Sequence, residues 1–68
     1  MAKNSTISIN IKKYRAKLGI SQDKLSKLSN VTYNTIIKIE SGATYNPRVE
    51  TLKHIADALK VSIDDLMK

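Results

Sequence analysis

Cysteine is absent from the 68-residue chain, as are tryptophan and phenylalanine; glycine occurs twice and proline once. Without cysteine there is no disulfide scaffold, no cysteine-ligated zinc module and no thiol nucleophile, a composition that fits a reducing compartment. Long hydrophobic runs are missing too. No purely apolar stretch exceeds two residues, as at Ile36-Ile37, which leaves no room for a transmembrane span. Met1-Ala2-Lys3-Asn4 leads into polar residues, so no secretory signal is expected. One histidine and two glutamates are poor material for a self-contained active site. The motifs G-x-x-x-x-G-K-[ST], G-x-S-x-G and H-E-x-x-H do not occur. The composition leads to the expectation of a protein that is not an enzyme and uses neither cofactor nor metal.

What is present is a dispersed apolar content of 41%, which argues against disorder. The length suits one domain with a small core. The net charge is +6, and it is unevenly placed: residues 1–38 carry eight basic groups against Asp23 alone, a net +7, whereas residues 39–68 carry a net −1. A basic half beside a near-neutral half suggests a face for a polyanion, although basic solvated faces are also common on small soluble domains.

Residues 1–6 are small and polar and are read as a flexible N-terminal arm, with residues 7–68 as the folded domain. Ile7, Ile11, Tyr14 and Leu18 recur at helical spacing, and Gly19 is placed to end that helix in the left-handed region. Ser21 and Asp23 suit a helix N-terminus. Leu25 and Leu28 are expected to face inward, and Asn30 to make a tight turn. The segment from Tyr33 to Glu40 is rich in β-branched residues. It nevertheless reads as a helix, because Thr32 caps one end, Ser41-Gly42 closes the other and no second strand exists to pair with it. Pro47 marks the next helix start, followed by an apolar stripe of Val49, Leu52, Ile55, Ala56 and Leu59. Ser62-x-x-Asp65 resembles a capping box, with Asp64 and Asp65 in the first turn and Ile63, Leu66 and Met67 as the apolar face. The sum is an all-α chain of five short helices without repeats or linkers. His54 and Asp57, three apart on one helix, read as a solvated face rather than a metal site.

Two short helices joined by a tight turn, Ser21–Leu28 and Thr32–Glu40, form a helix-turn-helix candidate. In such a pair the first helix crosses the sugar-phosphate backbone and the second enters a major groove about 12 Å wide. The surrounding residues carry a wider resemblance. Ile11-x-x-Tyr14-Arg15-x-x-x-Gly19-Ile20-Ser21-Gln22-x-x-Leu25, Val31-Thr32-x-x-Thr35-Ile36-x-x-Ile39-Glu40-x-Gly42, Pro47 and Leu52-x-x-Ile55-Ala56-x-Ala58-Leu59-x-Val61-Ser62 together resemble the Cro/CI-type (Xre) helix-turn-helix family. The resemblance covers residues 7–67. It implies a compact five-helix, lambda-repressor-like fold of the lambdoid phage repressor kind, with double-stranded DNA as partner and a homodimer on an inverted repeat.

The resemblance also implies roles for single residues. Gln22, beside Ser21, matches a position where relatives meet a phosphate, which suits a helix N-terminus. Tyr33, Asn34, Thr35 and Lys38 match the base-facing positions of the recognition helix, about residues 32–40. Asn suits adenine, Lys suits guanine and a Thr methyl suits the thymine methyl; the Tyr33 hydroxyl and Lys38 suit a phosphate as well. Ile37 departs from the family pattern, which is often polar there. An exposed isoleucine fits a thymine methyl, a protein partner or no partner at all, since lone apolar surface residues are ordinary. Arg15 and Glu40 match a structural ion pair between the first and third helices. Ser41, Thr44, Tyr45, Asn46 and Arg48 match the loop beside the DNA backbone and the dimer interface, where Arg48 is the only cation and suits a phosphate or a narrow minor groove.

Three functions compete. The first is a sequence-specific regulator of transcription, most simply a repressor, in the cytoplasm and associated with the nucleoid through DNA. The second is a protein-interaction module of the same fold, such as an antitoxin or a restriction-modification controller working with a protein partner. The third, a basic amphipath lying on membranes, fails because Gly19 and Gly42 interrupt any long stripe; no membrane partner is expected.

Overall fold

The computed structural model describes residues 6–43 and 47–68. Five helices follow one another: α1 Thr6–Leu18, α2 Gln22–Ser29, α3 Tyr33–Ser41, α4 Val49–Leu59 and α5 Ile63–Met67. No strand occurs among the described residues, and no helix among them is long and apolar enough to cross a membrane. Thr6, assigned by pattern to an arm, opens α1; residues 1–5 of that arm lie outside the described residues.

The joints between helices are built locally, and three of them repeat one design. A residue in the left-handed region ends the helix, an apolar residue follows, and a hydroxyl residue caps the next helix. The sets are Gly19-Ile20-Ser21, Asn30-Val31-Thr32 and Lys60-Val61-Ser62, with φ of 68°, 60° and 63° at the first positions. Each apolar residue donates its N–H back across the closing turn: Ile20 to the Arg15 carbonyl, Val31 to Ser26 and Val61 to Ala56. This is the Schellman arrangement, which satisfies carbonyls left open at a helix end. The same side chains pack against the core. Each cap oxygen accepts a backbone N–H three residues on, Ser21 from Lys24, Thr32 from Thr35 and Ser62 from Asp65. Ser62 and Asp65 complete a reciprocal capping box. Gly42, with φ of 83°, closes α3 in the same way.

The core is aliphatic and draws on every helix: Ile11, Leu25, Ile36, Ile39, Leu52, Ile55, Ala56, Leu59 and Leu66. α1 lies against α3 and α5, and α2 against α3 and α4. Burial differs from the expected stripes at four positions. Leu28 is 52% exposed, because the buried face of α2 runs along Gln22, Leu25, Ser26 and Ser29, a stripe at i, i+3, i+4, i+7 that leaves Leu28 about a third of a turn away. Ser29 takes the inward place, its hydroxyl donating to the Leu25 carbonyl at 2.7 Å. Val49, the first residue of α4, is 71% exposed. Leu18 and Met67, at the ends of their helices, are also exposed. Pro47 precedes the cap residue Arg48 and is not itself the first residue of α4.

Polar residues on the buried side of α1 orient it. Ser8 donates to the Glu40 carbonyl at 2.6 Å and Asn10 Nδ2 to the Leu66 carbonyl at 2.8 Å. The strongest link is the Glu40 carboxylate at the end of α3, whose residue is 2% exposed. Arg15 Nε reaches Glu40 Oε2 at 2.8 Å and Arg15 Nη2 reaches Oε1 at 3.0 Å. Gln22 Nε2 donates to Oε1 at 3.0 Å, and Arg15 Nη1 donates to the Ile20 carbonyl at 3.0 Å. One carboxylate therefore joins α1, the α1–α2 joint, α2 and α3.

Three outcomes are expected. Arg15→Ala leaves a buried carboxylate short of its cation, so stability falls by about 3–5 kcal/mol, whereas Lys12→Ala on the exposed side of α1 changes it by less than about 0.5 kcal/mol; urea unfolding measures both. Lys60→Gly relieves a left-handed conformation that costs a non-glycine residue about 1–2 kcal/mol, offset in part by unfolded-chain entropy, so the melting temperature rises by about 3–6 °C. The Asp65 carboxyl is held below its ordinary 3.8 by the Ser62 backbone N–H, then by the Ser62 hydroxyl. A lowered folded pKa stabilises above the unfolded value and loses that effect as acid passes through the folded one. The stability advantage of the wild type over Asp65→Ala therefore shrinks as the pH drops below 3.8 in urea titrations.

Candidate nucleic-acid interface

α2, the turn Asn30-Val31-Thr32 and α3 form a helix pair with a three-residue connection. Asn30 supplies the left-handed residue without glycine, which its short polar side chain tolerates. Thr32 then starts α3 at once, so no slack remains between the two helices. α2 packs on both α3 and α4, and α3 packs on α1 as well as α2; the pair is held from behind.

α3 divides by face. Ile36, Ile39 and Glu40 are buried. Tyr33, Asn34, Ile37, Lys38 and Ser41 are exposed and occupy an arc of about 140° at 100° per residue. Tyr33 is 45% exposed and lies at one edge; Lys38 lies at the other; Ile37 and Ser41 run along the middle. Thr35 is set apart from the other base-facing candidates. It is half-buried, and its hydroxyl oxygen accepts from the Thr32 hydroxyl at 2.8 Å while its N–H donates to the same Thr32 oxygen at 3.3 Å. Thr35 borders the concavity between the α2–α3 turn and the start of α4, together with Asn30, Thr32, Arg48, Thr51 and His54.

The backbone-facing candidates fall into three groups. Ser21 caps α2, and the Gln22 amide is turned inward onto Glu40. The Ser41 hydroxyl donates to the Lys38 carbonyl at 3.0 Å and accepts from the Ala43 N–H at 3.3 Å, so it fastens the end of α3. Arg48 is exposed at the start of α4, whose cap position makes no side-chain hydrogen bond. Thr44, Tyr45 and Asn46 lie outside the described residues. Arg15 is half-buried and Glu40 buried, so neither belongs to the exposed arc of α3.

The charge near this face is mostly basic. Lys24, Lys27 and Lys38 are exposed on the two helices, and Lys27 pairs with Asp23 at 3.3 Å. On α1, the Lys13 and Lys17 ammonium groups lie 5.0 and 5.5 Å from the Tyr14 ring centre, within the range of a cation–π attraction. No group of three or more potential metal ligands occurs among the described residues.

Two features were missed in the sequence. The Gln22–Glu40 bond had no signal of its own, since the two residues are 18 apart and Gln at a helix start is unremarkable in composition. The withdrawal of Thr35 was foreshadowed by the spacing of Thr32 and Thr35, which puts a cap hydroxyl over the residue whose N–H it accepts.

Comparison with known proteins agrees with this geometry. A family model described as helix-turn-helix matches residues 11–66. Two proteins of Archaeoglobus fulgidus, both named as uncharacterized HTH-type transcriptional regulators, are 38% and 36% identical over 56 residues; the aligned part is 82% of this chain and 79% and 78% of the respective relatives. No solved structure matches the chain. A three-residue turn between α2 and α3, a buried Glu40 behind α3 and a match running from α1 into α5 lead to one assignment: the chain belongs to the Cro/CI-type (Xre) helix-turn-helix family.

Proposed function

We propose that this protein is a DNA-binding regulator of transcription, acting as a repressor in the cytoplasm and docking α3 in the major groove. The observation that carries the reading is the exposed arc of α3, which presents Tyr33, Asn34 and Lys38 from a helix fixed at both ends by caps and from behind by Glu40. Asn34 matches the paired donor and acceptor of adenine, and Lys38 the acceptors of guanine. Tyr33 serves a base edge or a neighbouring phosphate. Thr35 belongs to the same first turn, where its methyl is the part left for a base.

The backbone contacts assigned here are Ser21 and Gln22 at the start of α2, Ser41, Thr44, Tyr45 and Asn46 around the end of α3, and Arg48 at the start of α4. The N–H groups of a helix start favour a phosphate, and the excess of lysine in residues 1–38 adds a long-range attraction. A homodimer on an inverted repeat is part of the same proposal, a reading supported by the size of the domain. Successive major grooves on one face of DNA are about 34 Å apart, whereas the described residues span 30 Å along their longest axis and hold one such helix pair. Two copies are needed to fill both grooves.

Selection of duplexes from a random library at about 150 mM salt tests the reading, because that salt suppresses non-specific binding. Enrichment of an inverted repeat is expected, with Asn34→Ala weakening the selected duplex about tenfold or more. With 6–10 phosphate contacts, affinity for that duplex falls by about 10³–10⁵ between 50 and 200 mM salt. Salt-sensitive binding with nothing enriched would instead favour the second function, a module that acts with a protein partner.

A further inference from the structure

Ile37 has neither a place in the core nor hydrogen-bonding chemistry for a base edge. It is 36% exposed, while Ile36 and Ile39 beside it are 0% and 1% exposed and fill the interior of α3 without it. It sits within the outward arc, one turn from Tyr33 and one turn from Ser41, with Tyr33 on one side and Asn34 and Lys38 on the other. A residue at the middle of a helix face meets the floor of a groove, whereas residues at its edges meet the walls.

The floor of the major groove offers donors, acceptors and one apolar group, the C5 methyl of thymine. Isoleucine has a single strongly preferred χ1 rotamer in a helix, so the backbone of α3 sets where its methyl groups point. That backbone is capped at Thr32 and closed at Gly42. Thr35, the other residue with a methyl for thymine, is half-buried and tied by its hydroxyl to Thr32. We propose that Ile37 is a specificity-determining residue that reads the C5 methyl of one thymine in each half-site. The inference rests on the DNA-binding function proposed above, and it assigns a hydrophobic contact to the centre of an otherwise polar recognition surface.

Deoxyuridine pairs as thymine does and lacks only the methyl group. The probe is the duplex enriched by the wild-type protein, with each thymine replaced singly by deoxyuridine and binding followed by fluorescence anisotropy. One thymine per half-site is expected to show a loss of about fourfold on replacement, the size of one buried methyl contact. Ile37→Ala should bind the thymine duplex more weakly and become indifferent to deoxyuridine at that position. Ile37→Val should keep part of the penalty. The melting temperatures of both variants should match the wild type, since the side chain lies outside the core.

Persistence of the full penalty in Ile37→Ala overturns the inference. So does loss of the penalty in Thr35→Ser, which assigns the methyl to Thr35, and so does a duplex in which no thymine is sensitive. In each of these cases the enriched duplex still binds, so the regulator function survives. Failure to enrich any duplex overturns both.

Discussion

The Glu40 carboxylate is the constraint on which the arrangement of this domain depends. Among the described residues nine aliphatic side chains form the core that holds the helices together, but hydrophobic contact is nearly directionless, and aliphatic side chains of similar volume tolerate alternative packings. Direction comes from groups with fixed geometry. The planar Arg15 guanidinium meets the planar Glu40 carboxylate by two parallel bonds, and Gln22 adds a third. Burying a carboxylate is costly unless its lone pairs are filled. Any packing that separated α1, α2 and α3 from this geometry would leave the charge uncompensated. The pair contributes less through net stability than through the penalty it places on wrong arrangements.

Ser8 and Asn10 extend the same logic to the N-terminal half of α1. Each spends its polar group on a backbone carbonyl of another helix, at Glu40 and at Leu66. Among the described residues no buried side-chain nitrogen or oxygen lacks a partner. The helix pair thus has its angle set in the free protein, and the ordering cost that weakens association of flexible segments is already met before docking.

The joints were the most legible part of the fold. Ser21, Thr32 and Ser62 as caps, and Gly19, Asn30 and Gly42 as left-handed closers, are local signals that operate within a few residues. They also outweighed the β-branched content of Tyr33–Ser41, which alone favours a strand. Lys60 escaped notice because lysine carries no conformational signature, yet it takes the left-handed place for want of glycine. Leu18, Leu28, Val49 and Met67 were misread as core because apolar identity says nothing about whether a neighbouring helix reaches that far. The outward face of α3 was legible from helical phase once the helix itself was read. What lay beyond reach was long-range: Gln22 turned to Glu40, and buried Ser8 and Asn10, whose partners are 32 and 56 residues away.

The joints and the outward arc of α3 share almost no residues. Cap, closer, core and Glu40-network residues occupy positions 32, 36, 39, 40 and 42 of the segment, while the exposed arc uses 33, 34, 37, 38 and 41. Only Ser41 belongs in part to both, through its bonds at the end of the helix. On the function proposed for α3, foldability and recognition are therefore written in separate sets of letters. A lineage carrying this scaffold is free to change what it recognises by exchanging four surface side chains, each step passing through a folded protein. Divergence of specificity among duplicated copies then meets little resistance from stability.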